Sequence, residues 1–413
     1  MSFRSYSNYK KSGIQWLGMI PEHWQVVPYK RLVDIQNGRD HKAVEQDQGY
    51  PVIGSGGPFT FASDYLYDGE SVLLGRKGTI DKPIYINGRF WTVDTMYWSK
   101  IRSGVFGKFA YYAAKNIPFE YYLTSTTIPS MTKGTLGNNP VALPPITEQQ
   151  QIADFLDRET SRIDQLIEKK ERLLSVVNER EDTALRSLLS GTESSATGRK
   201  STNTPWLPSV PSHWDIIPLR HLVRITTGSR DTQDRTDDGQ YPFYVRSMTV
   251  ERIDTYSHDE EAVLTSGDGA GVGKVFHHVT GKFELHQRMY AFTDFKHMTG
   301  SYFFHFLRTF FHLQMTQWSA KSTVDSVRMP FLKSMLFAIP PRDEQESILN
   351  VIDARRRLDE RIVAATETSI ERLRELRTAL ITAAVTGQID VATWGKQGQT
   401  DRRLDRIEEA MRA

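Results

Sequence analysis

The chain has 413 residues, 39% hydrophobic and 25% charged, with no cysteine and a formal net charge of +2. Length and composition predict several folded domains in a globular chain. The missing cysteines exclude disulfides, thiolate metal sites and cysteine nucleophiles, no run of 18 apolar residues offers a membrane helix, and the opening MSFRSYSNYKKSGIQW lacks the apolar core of a secretory signal.

The small net charge hides an uneven distribution. Residues 1–146 carry 16 basic and 11 acidic side chains, and nine of the 11 histidines lie between 201 and 341. A basic face is therefore expected to be local.

In chain order, Trp16-Leu17, Pro21, His23 and Trp24 open the first segment. Their aromatic and imidazole groups invite a base-stacking or metal reading. A lone histidine beside each tryptophan is no ligand set, so a packed N-terminal strap is the expectation. Short β-type runs follow at Ser71–Leu74 and Pro83–Ile86, ending at glycine and asparagine turn signals, and aromatics at helical spacing predict a helix over Phe106–Asn116. Pro144-Pro145 close this part. Residues 148–190 then contain no proline or glycine, with apolar positions at helical spacing that include Ile152, Leu156, Ile163, Leu166 and Val177. Thr147 is the expected N-cap, Gln150 the capping-box partner and Gly191 the C-cap.

The chain then repeats. Trp206-Leu207, Pro211, His213 and Trp214 restate the opening, Tyr241-Pro242 restates Tyr50-Pro51, and Met289-Tyr290 restates Met96-Tyr97. A helix is expected over Gly300–Gln314. Pro340-Pro341 and Glu344-Gln345 match Pro144-Pro145 and Glu148-Gln149. A second uninterrupted helix follows over 344–386, with Ile348, Ile352, Ile362, Ile370 and Leu373 on its stripe, Asp343 and Glu346 as the expected cap pair, and Gly387 as C-cap. Two amphipathic helices of about 60 Å each are expected to pair as an antiparallel coiled coil. The alternative is that each stripe covers its own globular part. The fold class is thus α+β: two mixed α/β domains in tandem, each followed by a long helix. The expected boundaries are 1–146, 147–190 (helix), 191–204 (flexible linker), 205–342, 343–387 (helix) and 388–413 (a polar tail with a short helix over Leu404–Met411).

Two segments, YKKSGIQWLGMIPEHWQVVPYKRL (Tyr9–Leu32) and LPPITEQQQIADFLDRETSRIDQLI (Leu143–Ile167), together with IPPRDEQESILNVID (Ile339–Asp353), resemble the specificity subunits of type I restriction–modification systems. The resemblance covers essentially the whole chain. It implies a non-catalytic subunit whose two target-recognition domains each read half of a split DNA sequence while the paired helices set the gap. It further implies two methyltransferase (modification) subunits and restriction subunits as partners. S-adenosylmethionine, ATP and Mg²⁺ would be used by those partners, with no cofactor or metal held by this chain, in a prokaryotic cytoplasm. The stripe residues named above would form the coiled coil and the docking platform.

Candidate DNA contacts follow from side-chain chemistry. Gly75-Arg76-Lys77-Gly78 is a basic turn in which glycines permit close approach and arginine can bridge guanine O6 and N7. The matching loop, Ser266 to Lys274, is glycine-rich and ends in Lys274. Thr126, Thr127, Ser130, Thr132 and Lys133, and in the second copy Lys321, Ser322, Thr323 and Arg328, supply hydroxyl and basic groups suited to phosphate and base edges. Arg246, Arg288 and Lys108 are further basic candidates. The loops differ between copies, so the expected target is asymmetric. Each of these could instead be an ordinary solvated loop. Gly269–Lys274 fails the phosphate-loop pattern at Asp268 and Val275. A stand-alone enzyme, or a helical scaffold with two protein-binding domains, are the competing readings.

Overall fold

The computed structural model describes residues 5–122, 129–194, 198–318 and 326–394. The chain forms two compact units, Met1–Lys170 with Thr368–Ala413, and Glu171–Glu367.

In the first unit, β1 (Tyr9–Lys11) and β2 (Met19–Pro21) pair antiparallel as a strap. β3 (Gln25–Pro28) follows. Then come β4 (Val33–Asn37), β5 (Glu45–Gln46), β6 (Tyr50–Gly54), β7 (Gly57–Ala62), β8 (Tyr67–Gly75), β9 (Ile84–Thr92) and β10 (Met96–Ile101). These seven make one sheet in the order β4-β10-β8-β9-β6-β7-β5. α1 (Gly107–Lys115) packs on β8 and buries Phe109, Ala110 and Ala113. α2 (Lys133–Asn138) leads into β11 (Pro140–Leu143), which pairs with β3 and hands the chain to α3 (Ile146–Leu189).

The second unit repeats this order: β12 (Arg199–Thr204), β13 (Leu207–Pro211), β14 (Asp215–Pro218), β15 (Arg224–Thr227), β16 (Tyr241–Tyr244), β17 (Glu251–Ile253), β18 (His258–Asp259), β19 (Ala262–Ser266), β20 (Phe276–Val279), β21 (Lys282–Leu285), β22 (Met289–Thr293), α4 (Gly300–Trp318), α5 (Met329–Ser334), β23 (Leu336–Ile339) and α6 (Arg342–Val385). The sheet is divided into β15-β22-β19-β20 and β17-β16-β21-β18. The turn between β20 and β21, at Gly281, lies where the first unit has one strand, β9, which runs unbroken through Gly88 at a φ of +115°.

Each long helix has 44 residues, about 66 Å at 1.5 Å per residue. α3 begins in the first unit and ends in the second, and α6 does the reverse. Within the first unit the pairing sense is explicit. Tyr6, in edge contact with Tyr9, donates to Glu148 near the start of α3, and Tyr9 Oη donates to the Gly387 carbonyl just past the end of α6. Farther along α3, Arg377 of α6 holds Asp164 at 2.8 Å. The helices run antiparallel there, with Ile163, Leu166, Leu373 and Leu380 in one core cluster. In the second unit Leu188 and Leu189 of α3 share a cluster with Ile352 of α6.

The helix starts are built differently from expectation. α3 and α6 begin at Ile146 and Arg342, so Thr147 and Asp343 lie inside the first turn and cap nothing. The first helical bonds run from Gln149 N to the Pro145 carbonyl and from Gln345 N to that of Pro341. Glu148 and Gln149 anchor the helix instead. Glu148 accepts from His23 Nε2, from Trp24 Nε1 and from Tyr6. The buried Gln149 donates to the Pro144 carbonyl and accepts from Phe106 N. The second unit repeats the clasp: Glu344 accepts from His213 and Trp214, while Gln345 donates to His297 and Pro340 carbonyls and accepts from Thr299 N. Trp24 and Trp214 are fully buried, so they are packing residues of a strap, as the sequence suggested, and offer no stacking face.

The helix ends match expectation. Gly191 and Gly387 have φ of +66° and +72°. Gly191 N and Thr192 N bond back to Leu188 and Ser187, and Gly387 N and Gln388 N to Ala384 and Ala383, which is the Schellman pattern. The linker over 191–204 is a correction. Residues 199–204 form β12, because their backbone pairs with β13 and Arg199 donates to the Gly191 and Ser209 carbonyls. The segment Leu404–Met411 lies outside the described residues.

Candidate nucleic-acid interface

In the first unit the β8–β9 loop is closed by its own backbone. Arg76 N and Lys77 N donate to the Thr95 carbonyl at 2.9 and 3.2 Å. Gly75 leaves no room for a side chain, since a Cβ there would lie 2.3 Å from the Thr79 carbonyl, and Gly78 turns at φ +81°. The segment before α2 clasps this loop. Met131 N donates to the Arg76 carbonyl, Gly78 N to that of Pro129, and Lys77 forms a bridge with Ser130. The fold therefore brings Arg76, Lys77 and Ser130 together from 54 residues apart in sequence. The Arg76 guanidinium lies 5.9 Å from the Tyr97 ring centroid and donates to the Asp94 carbonyl, while Lys77 and Lys133 are exposed. Thr132 is committed elsewhere: its hydroxyl caps α2 by accepting from Thr135 N at 3.1 Å. Lys108 is likewise tied to Asp157 of α3.

The second unit builds the same clasp with other side chains. Gly267 N donates to the Arg288 carbonyl, Val327 N donates to the Gly267 carbonyl, and Asp268 bridges Ser326. Asp268 receives Arg246 Nη1 at 3.0 Å on one oxygen and Arg288 Nη1 on the other. Burial alone would raise its carboxyl, but the Arg288 and Arg246 hydrogen bonds outweigh this and hold it below the ordinary aspartate value. The turn Gly269–Gly271 packs on Arg246, where a Cβ on Gly271 would lie 2.7 Å from the Arg246 carbonyl. Lys274 stands at the far end of the loop and is exposed, as is Arg328, the residue before α5. Thr126, Thr127, Lys321, Ser322 and Thr323 lie outside the described residues.

The helix-stripe residues occupy a different place from a docking surface. Ile152, Leu156, Ile163, Leu166, Val177, Ile352, Ile370 and Leu373 are all buried, and Ile348 and Ile362 are half-buried. Ile152 and Leu156 join the core that contains Trp24 and Phe109. Their side chains hold this chain together and are not presented to a partner. Sequence reasoning passed over Asp268, whose two arginines are 22 and 20 residues away. The Glu148-Gln149 repeat is visible in the sequence, but the partners of Glu148 in the clasp are Tyr6, His23 and Trp24, at least 124 residues away.

Residues 21–175 and 211–372 both match the family described as the type I restriction modification DNA specificity domain. The chain belongs to this family. The family is the specificity component, not the catalytic one, of type I restriction–modification systems. Among curated relatives, the EcoDI specificity subunit of Escherichia coli is 28% identical over 180 residues, 44% of this chain. The aligned stretch spans only 39% of that protein's length. A putative type I specificity subunit of Haemophilus influenzae, S.HindORF215P, is 20% identical over 345 residues, 78% of this chain and 84% of the other. A chain solved in work on complex assembly and conformational transition of the type I R–M system superposes with a TM-score of 0.69, covering 90% of this chain and 99% of that one at 15% identity. That likeness concerns the fold. It agrees with two tandem family domains and long helices that pack together.

Proposed function

We propose that this chain reads a bipartite, asymmetric DNA target, one block per unit, as the specificity subunit of a type I complex. One observation carries the reading. Both units present, in the same backbone setting, a loop at the end of a central strand clasped by the segment before a short helix, and the side chains on the two loops differ. A shared framework with divergent loops suits two half-sites of different sequence. Arg76, Lys77, Ser130 and Lys133 would serve the first block, with Thr126 and Thr127 nearby in sequence. Arg246, Lys274 and Arg328, with Lys321, Ser322 and Thr323 in the adjoining segment, would serve the second. The antiparallel helices would fix the gap. Two modification subunits and the restriction subunits would assemble on the chain, supplying S-adenosylmethionine-dependent adenine methylation and ATP- and Mg²⁺-dependent restriction in a prokaryotic cytoplasm. Among the described residues no helix is long and apolar enough to cross a membrane.

The test is duplex binding by the full chain with its modification subunit, measured against salt. The expected result is nanomolar-class affinity for a selected two-block sequence, falling steeply with salt, and far weaker binding to random duplex. Salt-insensitive assembly with protein partners and no DNA affinity would instead support the scaffold reading.

A further inference from the structure

The strand registers allow the two units to be matched residue by residue. β10 pairs β8 with Met96 opposite Gly75, and β22 pairs β19 with Met289 opposite Ser266. Lys77 and Asp268 therefore occupy one position, and Thr95 and Arg288 another. β6 runs parallel to β9 with Ile53 opposite Thr92, and β16 runs parallel to β21 with Tyr244 opposite Leu285. Ser55 and Arg246 thus share a third position. The backbone bonds around these sites repeat: Arg76 N to the Thr95 carbonyl at 2.9 Å, and Gly267 N to the Arg288 carbonyl at 2.8 Å. The bridge to the clasping segment also repeats, as Lys77 to Ser130 and Asp268 to Ser326.

The side chains at these positions change together. Ser55, Lys77 and Thr95 in the first unit are Arg246, Asp268 and Arg288 in the second. A central cation with two small polar neighbours becomes a central carboxylate flanked by two guanidinium groups. The exchange is coherent, because Asp268 is the acceptor that lets two arginines sit side by side. Arg246 and Arg288 keep 42% and 58% of their side-chain surface exposed, while Asp268 keeps 20%. Each arginine uses one Nη on Asp268, leaving other donors of its fork unused by that bond.

We propose that these three positions determine the base preference of each unit, and that Asp268 is a positioning residue holding Arg246 and Arg288 to read guanine in the second block. The inference rests on the DNA-reading function proposed above. A planar fork held from behind fits guanine O6 and N7 in a bidentate way, whereas the hydrated point charge of Lys77 has no such fork. The competing role for Asp268 is loop stabilisation alone, but the arginine side of each pair is exposed, where ion pairs contribute little to folding.

The experiment selects binders from a duplex pool randomised over two blocks, using the full chain in complex with its modification subunit. The variants are Asp268→Asn, Arg288→Lys, Arg288→Ala and Arg246→Ala. The wild type is expected to select at least one fixed guanine in the block lost to the Arg288 variants. Arg288→Ala should relax that base and weaken the selected duplex about 5- to 150-fold. Arg288→Lys, which keeps the charge and loses the fork, should relax the same base with an unchanged unfolding midpoint. Asp268→Asn should relax it while the other block keeps its sequence. A second block without guanine, an Arg288→Ala effect equal for all sequences, or an Asp268→Asn preference identical to wild type would each overturn the inference while leaving the DNA-reading function standing. A wild type that selects no motif would remove that function and the inference together.

Discussion

Trp24 donates its indole N–H to Glu148 at 2.9 Å across 124 residues of chain, and Trp214 does the same to Glu344 in the second unit. The pair ties the strap that opens each unit to the helix that closes it. Glu148→Ala would leave the buried Trp24 N–H without its acceptor, which costs about 1–3 kcal/mol. Glu148→Gln keeps an acceptor and should cost less. Denaturant unfolding of both variants checks the order, with the Ala variant the less stable.

Gly387 and Gly191 carry a second strap contact. A Cβ at Gly387 would lie 2.3 Å from Pro21 Cδ, and one at Gly191 would lie 2.5 Å from Pro211 Cδ, both at positive φ. Gly387→Ala should therefore exceed the roughly 1 kcal/mol of an ordinary glycine cost. Its signature would be earlier hydrogen exchange in the 9–24 strap and at the end of α6.

The second unit should weaken with acid in a defined window. Burial first, then the nearby Arg308, lowers the imidazole of His305 to about 4. His277 and His286 are also lowered, chiefly by burial. A histidine whose folded value lies below its unfolded value of about 6.5 favours folding above that value. Its contribution is lost as pH falls from about 6.5 towards 4. Unfolding midpoints of the chain should decline across that range, and His305→Gln should flatten part of the decline. An unchanged slope in the variant would argue against the assignment.

The helix pairing separates two energy scales. The Arg377–Asp164 pair is partly exposed, so Arg377→Ala should cost under about 1 kcal/mol. Leu373 is 2% exposed, and Leu373→Ala should cost about 2–5 kcal/mol. Equal effects in thermal unfolding would mean that the ion pair, not the apolar seam, dominates.

The long helices, their glycine ends and the strap were legible because a 3.6-residue apolar period, a glycine after the last turn and a repeated tryptophan are local signals. The helix starts differ from the sequence expectation because threonine and aspartate are common caps, whereas the chain turns into helix at Ile146 and Arg342 directly after proline. β12 was hidden because Arg199–Thr204 has no apolar residue, and only its pairing with β13 makes it a strand. In the candidate interface, Arg76 and Lys77 stood out as a basic turn. The Asp268 cluster did not, because Arg246, Asp268 and Arg288 meet only through strand register.

The central claim is that each unit reads its own block of one split target. The most direct measurement maps methylated adenines across a genome in cells expressing this chain with its modification subunit, for the wild type, Lys77→Ala and Arg288→Ala. The account predicts a motif of two defined blocks around an unspecified gap, with Lys77→Ala altering methylation through one block and Arg288→Ala through the other. A single undivided motif, or both variants degrading the same block, would contradict it.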